Sequence, residues 1–329
     1  MLWHQIAYPK TSAGWIASSA LLPLSWLYGF GWRSYEAVYR FGLKRRQRIM
    51  SLPILGVGNL SVGGEGKTPV VIELLRLAEA AGISLAVSAS AYGAPASAGT
   101  TVLTPAEDVD PVRHGDEPAL LRREFPNLSV ILGRDRVSAA LEASRRGFGS
   151  LILDDGFQHL RLERTADLVI WDADLVNQRL LPAGPMREPL SGLRRAAAVA
   201  TPNRAPNSWE GPVFKFSREY VTLRDVSTGE KLPLDWLNGR RVHALCAIAR
   251  PERFFEGLRN LGAELQNERA LADHDSLMNV VGSDLPTIVT EKDATKIKSA
   301  PGQFFALSTR VRFHDEEAVA AWLTKTLSR

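Results

Sequence analysis

Cysteine is nearly absent from this sequence, which excludes a fold held together by disulfide bonds. The 329 residues contain one cysteine, Cys246, and a chain this poor in cysteine suits a reducing compartment. Because Cys246 lies in an apolar run, 244–248, we expect it to be buried in a strand. Internal repeats and low-complexity tracts are also absent. What remains is an ordinary globular composition, 45% hydrophobic and 23% charged, over a length that favours two α/β units.

A broadly distributed positive charge is missing as well. The net charge is +4, and residues 33–50 alone carry six Arg or Lys residues against one acidic residue, Glu36. Nucleic-acid-binding proteins normally spread basic residues over a folded domain, so this pattern argues against a nucleic-acid partner. The sequence gives no sign of an obligate protein partner. The positive charge instead forms one short patch that follows an apolar segment.

That apolar segment, residues 13–32, contains no charged residue. A secretory signal peptide carries its positive charges before the apolar core rather than after it. The length is just enough to span a bilayer, and a buried core helix is a further alternative. However, five aromatic residues and the interruptions at Pro23, Gly29 and Gly31 favour a helix that lies in the membrane interface. Because the adjacent basic patch attracts anionic lipids, residues 1–50 are predicted to associate with the cytoplasmic face of a membrane.

From residue 52 onward, short apolar runs alternate with amphipathic segments. The predicted helices of the first half cover 69–81 and 137–146, and its predicted strands cover 52–57, 85–87, 130–132, 151–153, 168–170 and 198–200. Several strands are apolar throughout, as buried parallel strands require. The alternation therefore predicts an α/β fold with a doubly wound parallel sheet that has helices on both faces.

The composition changes at 201–212, which is rich in Pro and Asn and is typical of a linker. Short strands are predicted after it, at 213–216, 220–224 and 230–232. A second α/β pattern follows, with strands at 242–248, 287–290 and 304–307 and helices at 251–261 and 316–327. We therefore predict four units: the N-terminal segment 1–50, a core at 51–205, a linker with a β-ribbon at 206–240, and a smaller C-terminal α/β domain at 241–329.

The most informative motif is SVGGEGKT, which lies between a predicted strand and a predicted helix. Glycines in such a P-loop let backbone N–H groups face phosphate oxygens, and the following helix directs its positive end at the same anion. Lys67 would neutralise the β- and γ-phosphates, and the Thr68 hydroxyl would bind Mg²⁺. A glycine-rich turn without a ligand is the alternative. The predicted nucleotide-binding residues are Ser61, Val62, Gly63, Gly64, Glu65, Gly66, Lys67 and Thr68.

Two positions of this motif bear on which class of P-loop protein it belongs to. Ser61 replaces the first glycine of the general pattern, which leaves the chemistry possible. Val62 stands where partitioning and nitrogenase-iron-protein P-loops carry an extra lysine, which argues against that class.

A second motif, SLILDDGFQH at 150–159, is an apolar strand that ends in two carboxylates, Asp154 and Asp155. Enzymes with a P-loop reach their metal ion with carboxylates of this kind from across the sheet. Adjacent residues at a strand end point to different faces, so we expect one of the two to face the metal directly. A strand-end turn is the alternative.

Seven stretches together resemble the tetraacyldisaccharide 4′-kinase family, the lipid A 4′-kinases. In order along the chain they are GNLSVGGEGKTP (58–69), GDEP (115–118), GRDR (133–136), ILDDGFQHL (152–160), LLPAGPMREP (180–189), ADHDS (272–276) and TEKDATK (290–296). No single stretch is specific for this family, but the occurrence of all seven in the family's order is specific. The N-terminal apolar and basic region also resembles the membrane-associating segment of that family.

The resemblance implies a P-loop NTPase-like fold and transfer of the ATP γ-phosphate, with Mg²⁺, to the 4′-hydroxyl of an acylated glucosamine disaccharide 1-phosphate at the inner membrane. It implies that Asp116 accepts the hydroxyl proton and that His274 lies against Asp116. With Lys67 and Asp155, these are the expected catalytic residues. The metal candidates are Thr68, Asp154, Asp155 and Glu188, and further residues expected to line the nucleotide site are Tyr92, Arg136 and Gln158.

One stretch departs from the family. Where the family has Ser-Arg-Gly-Tyr-Gly, this chain has Ala89-Ser90-Ala91-Tyr92-Gly93, so an arginine and a glycine are replaced. Loss of a charge-assisted contact near a polyphosphate costs about 1.5–3 kcal/mol. An alternative function is therefore a membrane-associated nucleotide-binding protein with reduced or lost transfer activity. A third is a P-loop NTPase that acts on a protein partner.

Overall fold

The computed structural model of the chain describes residues 2–62, 66–91, 93–172, 175–248, 250–271, 284–297 and 303–328. His274, Tyr92 and the P-loop residues Gly63, Gly64 and Glu65 lie outside the described residues.

Three helices open the chain: α1 (Leu2–Ala7), α2 (Ser12–Ala20) and α3 (Leu22–Arg40). The Thr11 hydroxyl accepts a hydrogen bond from the Gly14 N–H and so caps α2, and Pro23 lies in the first turn of α3, where its missing N–H is not needed. Among the helices that the structure describes, none is both long enough and apolar enough to cross a membrane.

The remainder of the described chain forms one sheet of thirteen strands with helices packed against it. The helices are α4 (Lys67–Ala80), α5 (Pro111–His114), α6 (Asp116–Glu124), α7 (Arg136–Arg145), α8 (Pro251–Asn260), α9 (Glu291–Ala294) and α10 (Glu316–Leu327). The strands are β1 (Ile54–Asn59), β2 (Leu85–Ala89), β3 (Thr101–Leu103), β4 (Val130–Leu132), β5 (Ser150–Asp154), β6 (Ala166–Ile170), β7 (Ala198–Thr201), β8 (Val213–Asp225), β9 (Lys231–Leu232), β10 (Arg241–Cys246), β11 (Glu264–Ala270), β12 (Thr287–Thr290) and β13 (Phe304–Phe313).

The strand order is β11-β10-β12-β13-β8-β7-β6-β1-β5-β2-β4-β3, and β9 pairs with β8. Most neighbours are parallel, and the antiparallel pairs are β3 with β4, β8 with β9 and β8 with β13. β1 lies between β5 and β6, so the P-loop, the Asp154–Asp155 pair and the residues after β6 all leave the same edge of the sheet. The predicted α/β fold with a large, mostly parallel sheet is confirmed.

Both faces of the first half of the sheet are covered by apolar contacts. On one face, α4 and α10 pack on the sheet through a cluster that includes Val70, Leu74 and Leu323. A second cluster surrounds Val137 and Ala140 of α7. A separate apolar cluster around Phe254 and Leu258 packs α8 against the second half of the sheet. Cys246 is buried at the end of β10, as its sequence context predicts.

The strands of the structure differ from the sequence prediction in three places. The sequence predicts separate strands at 213–216 and 220–224, whereas the structure has the single strand β8, because β13 pairs with it continuously from Phe216 to Asp225 apart from one register shift. The sequence does not predict β11, since its residues are mostly exposed and either polar or charged, and only its pairing with β10 makes it a strand. The three-residue strand β3 carries too little pattern to be predicted.

Candidate active site

The P-loop begins at the end of β1, whose six residues are all buried. The described part of the loop is fixed by the segment before Glu188: the Val62 N–H donates to the Pro185 carbonyl at 2.7 Å, and Ser61 forms a bridge with Met186. Gly66 has φ 73°, a left-handed conformation that favours glycine, and α4 starts at the next residue. The strand–loop–helix order expected for this motif is therefore present.

Lys67 lies between two oxygen-bearing side chains at the strand ends. Its Nζ donates to Asn59 Oδ1 at 3.1 Å and lies 3.5 Å from Asp155 Oδ1. Arg187 donates hydrogen bonds to the same carboxylate from both terminal nitrogens, at 2.8 and 3.0 Å, and also donates to Asn59 Oδ1. Two cations and one carboxylate thus meet at the place where the motif predicts phosphate binding.

The cations determine the charge of Asp155. Burial opposes ionisation of this carboxyl, but Lys67 and Arg187 outweigh the effect and hold its pKa below the usual range. Asp155 also has φ 55°, a left-handed conformation that aspartate adopts more readily than most non-glycine residues. The paired hydrogen bonds from Arg187 fix its carboxylate in this conformation.

Asp154 has the opposite environment although it is the adjacent residue. It is buried, and its Oδ1 has no hydrogen-bond partner among the described residues. Burial, followed by repulsion from Glu117 and Asp155, raises the pKa of Asp154 to about 7. A buried carboxylate oxygen without a described partner is available to a ligand such as a cation.

Arg136 lies behind Asp154 rather than at an open surface. Its guanidinium donates to the Asp154 carbonyl at 2.6 Å, the Ser88 hydroxyl at 3.1 Å and the Gly133 carbonyl at 3.3 Å. These contacts join the ends of β2 and β5. Its predicted role in lining the nucleotide site stays a prediction.

Glu188 is completely buried beside the P-loop. Its Oε1 accepts from Gln158 Nε2 at 2.7 Å and its Oε2 accepts from Arg195 Nη2 at 2.6 Å. Gln158 Nε2 donates in addition to the Asn59 carbonyl at 2.8 Å. Burial raises the pKa of Glu188, and the contacts with Arg195 and Gln158 oppose that shift.

The predicted magnesium site is brought together only in part. In the part of the chain that the structure describes, no group of three acidic, His or Cys side chains is close enough to hold a metal ion. Mg²⁺ often uses only one or two protein carboxylates, with phosphate oxygens and waters completing its octahedron. The orphaned Oδ1 of Asp154 fits such a site. Thr68, the second residue of α4, has the position in the motif that suits this role.

Asp116 begins α6 and is largely buried. Its Oδ2 lies 3.2 Å from Lys296 Nζ and 3.6 Å from Lys292 Nζ. The neighbouring Glu117 acts on the pKa of Asp154 through its charge, so the start of α6 faces the end of β5. His274, the partner expected from sequence, lies outside the described residues.

Sequence reasoning missed some of these residues. It did not select Asn59, Lys292 or Lys296, and it assigned no role to Arg187. The signals were present but weak: all four residues lie inside three of the recognised stretches, and Asn59 is in addition a polar residue at the end of an apolar strand. Their convergence comes from the strand order, which no local pattern encodes.

The Ser90–Ala91 departure lies at the end of β2, next to the start of α6. Ala91 is buried with φ 46°, a conformation in which glycine is favoured. A Cβ built on Gly115 would lie 3.4 Å from the Ala91 Cβ. The replacement of glycine by alanine is therefore accommodated, in a left-handed conformation, directly against the loop that carries Asp116.

With this geometry established, the chain can be compared with known proteins. A family model described as LpxK, tetraacyldisaccharide-1-P 4′-kinase, matches residues 17–328. The chain belongs to this family. The resemblance inferred from the seven stretches is confirmed.

Individual members of the family are similar in sequence to most of this chain. The tetraacyldisaccharide 4′-kinase of Acidovorax sp. (strain JS42) is 38% identical over 299 residues, covering 89% of this chain and 86% of the relative. That of Halorhodospira halophila is 36% identical over 291 residues, covering 87% and 86%. The crystal structure of LpxK from Aquifex aeolicus in complex with ATP is 30% identical, covers 94% of this chain and 99% of that chain, and superposes with a TM-score of 0.80.

Proposed function

We propose that this chain is a tetraacyldisaccharide 4′-kinase with a P-loop NTPase-like core. It transfers the γ-phosphate of ATP to the 4′-hydroxyl of an acylated glucosamine disaccharide 1-phosphate. The observation that carries the proposal is the meeting of Lys67, Arg187 and Asp155 at the end of β1 and β5. Family membership and the ATP-bound relative support it.

Phosphoryl transfer depends mainly on alignment and on neutralising charge. Lys67 and Arg187 supply two positive charges beside the loop that receives the β- and γ-phosphates, and Asn59 orients both of them through Oδ1. Asp154 and Thr68 would hold Mg²⁺, with Glu188 as a further carboxylate, and the ion would neutralise phosphate charge. Asp155 keeps the two cations in place between reactions.

The acceptor side of the reaction uses Asp116. The carboxylate accepts the proton of the 4′-hydroxyl as the new phosphate ester bond forms. The positive charges of Lys292 and Lys296 lie beside this carboxylate. His274 is proposed to lie against Asp116 and tune its pKa.

The N-terminal helices are proposed to dock on the cytoplasmic face of the inner membrane, where the lipid substrate resides. Their polarity is inverted relative to a soluble helix pair: Ser18, Ser25 and Glu36 are buried, whereas the large apolar residues face outward. The latter include Ile16, Leu24, Trp26, Leu27 and Phe30, each more than half exposed. An exposed apolar patch of this kind marks a membrane or partner surface, and the adjacent basic residues favour anionic lipid.

The proposal is tested by incubating the full chain with ATP, Mg²⁺ and the disaccharide lipid. We expect a phosphorylated lipid from the native chain. Asp116→Asn should reduce turnover by at least about 100-fold, since general-base catalysis contributes about 10²–10⁴-fold, with nucleotide affinity retained. ATP binding without lipid phosphorylation by the native chain would support the nucleotide-binding alternative instead, and hydrolysis indifferent to lipid would support an NTPase.

The Ser90→Arg variant tests the family departure in the same assay. If the missing arginine lowers activity, its restoration should raise turnover. Equal turnover in the two proteins would mean that Arg187 and Lys67 suffice for nucleotide handling.

A further inference from the structure

Glu36 is the one acidic residue of the basic segment 33–50, and it is buried on α3. Its Oε2 accepts from Arg194 Nη2 at 2.7 Å, and its Oε1 accepts from Arg195 Nη1 at 2.8 Å. The arginines come from the turn after the LLPAGPMREP stretch. A helix that exposes Trp26 and Phe30 on its outer surface therefore also places a carboxylate inside the protein.

Arg195 connects that carboxylate to the candidate active site. While Nη1 contacts Glu36, Nη2 contacts Glu188 Oε2 at 2.6 Å. The guanidinium also lies over the Phe157 ring, 4.5 Å from its centroid, which fixes its plane. Arg195 is thus shared by two buried carboxylates, one on the N-terminal helix and one beside the P-loop.

The same helix contacts the residue before Glu188. The Tyr28 hydroxyl donates to the Arg187 carbonyl at 2.7 Å, and the backbone of Arg187 donates to the Leu60 carbonyl at 2.7 Å. Two contacts of α3 therefore help to position Arg187 and Glu188. One is the hydrogen bond of Tyr28 to the Arg187 backbone, and the other runs from Glu36 through Arg195 to Glu188.

We propose that Glu36 is a positioning residue for Glu188 and acts by holding Arg195. The inference rests on the proposed metal role of Glu188. Each oxygen of Glu188 accepts one hydrogen bond and keeps a further lone pair for Mg²⁺, but the charge contact with Arg195 lowers the attraction of this carboxylate for the ion. Glu36 offers Arg195 a second negative partner and so weakens that competition. Without the Glu36 charge, Arg195 is drawn wholly onto Glu188.

The first test measures metal affinity rather than turnover. The full-length chain, loaded with a non-hydrolysable ATP analogue, is titrated with Mg²⁺ by calorimetry and with Mn²⁺ by electron paramagnetic resonance. Glu36→Gln keeps the size and a hydrogen-bond acceptor but removes the charge. We expect it to weaken metal affinity about 10-fold, the size of effect typical for partners of metal-ligating groups, while affinity for the metal-free nucleotide stays unchanged.

Arg194→Gln is the matched control. Arg194 contacts the other oxygen of Glu36 and, among the described residues, is not a hydrogen-bond partner of Glu188. Its replacement disturbs the same buried carboxylate without touching the connection to the site, so both affinities should stay as in the native chain. An equal loss in the two variants, or a parallel loss of metal-free nucleotide affinity, would show a merely structural effect and overturn the proposal.

A second test separates this inference from the proposed function. Glu188→Gln should lose metal affinity, and adding Glu36→Gln to it should cause no further loss. If Glu188→Gln binds metal normally, the metal role of Glu188 and the positioning role of Glu36 are both wrong. If Glu188→Gln is impaired and Glu36→Gln is not, only the positioning role is wrong. Neither readout needs the lipid, so a failure of lipid phosphorylation is scored independently.

Discussion

Two adjacent carboxyl groups, Asp154 and Asp155, show how single residues acquire different properties at this site. Asp155 contacts Lys67 and Arg187 and has a lowered pKa, whereas Asp154 is buried, has a raised pKa and has one oxygen without a hydrogen-bond partner among the described residues. Environments that push two neighbouring pKa values apart are typical of functional sites. The sequence pattern DD predicts acidic residues at a strand end but not this difference.

Asp154 should make the stability of the metal-free protein depend on pH. Because its pKa in the folded state, about 7, is above its ordinary value of 3.8, the folded protein binds the proton more tightly than the unfolded chain. The contribution of this group to the free energy of unfolding is fully present below about pH 4 and is lost as the pH rises to about 7, by at most about 1.4 kcal/mol per pH unit.

Asp154→Asn should remove this dependence of the free energy of unfolding on pH. Denaturant unfolding of the native and variant proteins at pH 5 and pH 8, in the presence of a chelator, measures the free energy of unfolding. The native chain should lose stability between these values relative to the variant, and an identical pH dependence in the two proteins would contradict the raised pKa.

Ala91 provides a second prediction at this scale. Its φ of 46° should be relieved by Ala91→Gly, with a net gain of about 0.5–1 kcal/mol after the greater chain entropy of glycine is subtracted. Ala94 is a suitable control, because it is also buried but has φ −77°. Ala94→Gly should therefore destabilise the protein, and a stabilising effect at both positions would argue against local strain.

At the scale of elements, α2 and α3 are helices whose buried side is polar. Ser18 donates to the Ala183 carbonyl, Ser25 donates to the Leu180 carbonyl, and Gly29 permits close approach, since a Cβ there would lie 2.6 Å from a Leu180 methyl carbon. The 180–189 stretch is therefore held from one side by the N-terminal helices and from the other by the P-loop. Deleting residues 1–50 would remove these contacts as well as the exposed surface.

Substitution is thus a cleaner test of membrane docking than truncation. Replacing Trp26 and Phe30 together by Asp should weaken binding to anionic vesicles by at least about 100-fold, because burial of each side chain is worth about 1.5–3 kcal/mol. Both side chains are about 70% exposed, so nucleotide affinity should be unchanged.

Leu141→Asp, at an exposed apolar position of α7, is the control and should leave vesicle binding as it is. Co-sedimentation measures all three proteins. Unaltered binding of the Trp26/Phe30 variant would remove these helices from the proposed membrane surface.

Across the whole molecule, β8 and β13 connect the two halves of the sheet. β8 pairs with β7 of the first half through Val213–Lys215 and with β13 from Phe216 onward. Phe216 is fully buried, packs on Phe313 and belongs to the cluster that covers α4. The predicted division at 206–240 and 241–329 stays a prediction, but β8 makes independent unfolding of the halves unfavourable.

Phe216→Ala should therefore destabilise the entire protein by about 3–5 kcal/mol and lower the midpoint of one common transition. Phe41→Ala, at a position that is largely exposed, should change stability by less than about 0.5 kcal/mol. Far-ultraviolet dichroism and tryptophan fluorescence followed during denaturation measure the effect. Separate transitions for the two probes would show that the halves unfold independently.

The sequence by itself determined the P-loop, the two carboxylates at the end of β5, the alternation that gives a parallel sheet, and the family. Each is encoded within a few residues, either as apolar periodicity or as a motif that binds one chemical group locally. Only the tertiary structure decided that Arg187 and Asn59 meet Lys67, that Lys292 and Lys296 reach Asp116, and that Glu36 shares Arg195 with Glu188. Most of these contacts join residues far apart in the chain, and the strand order and helix packing that bring them together are set by the whole core.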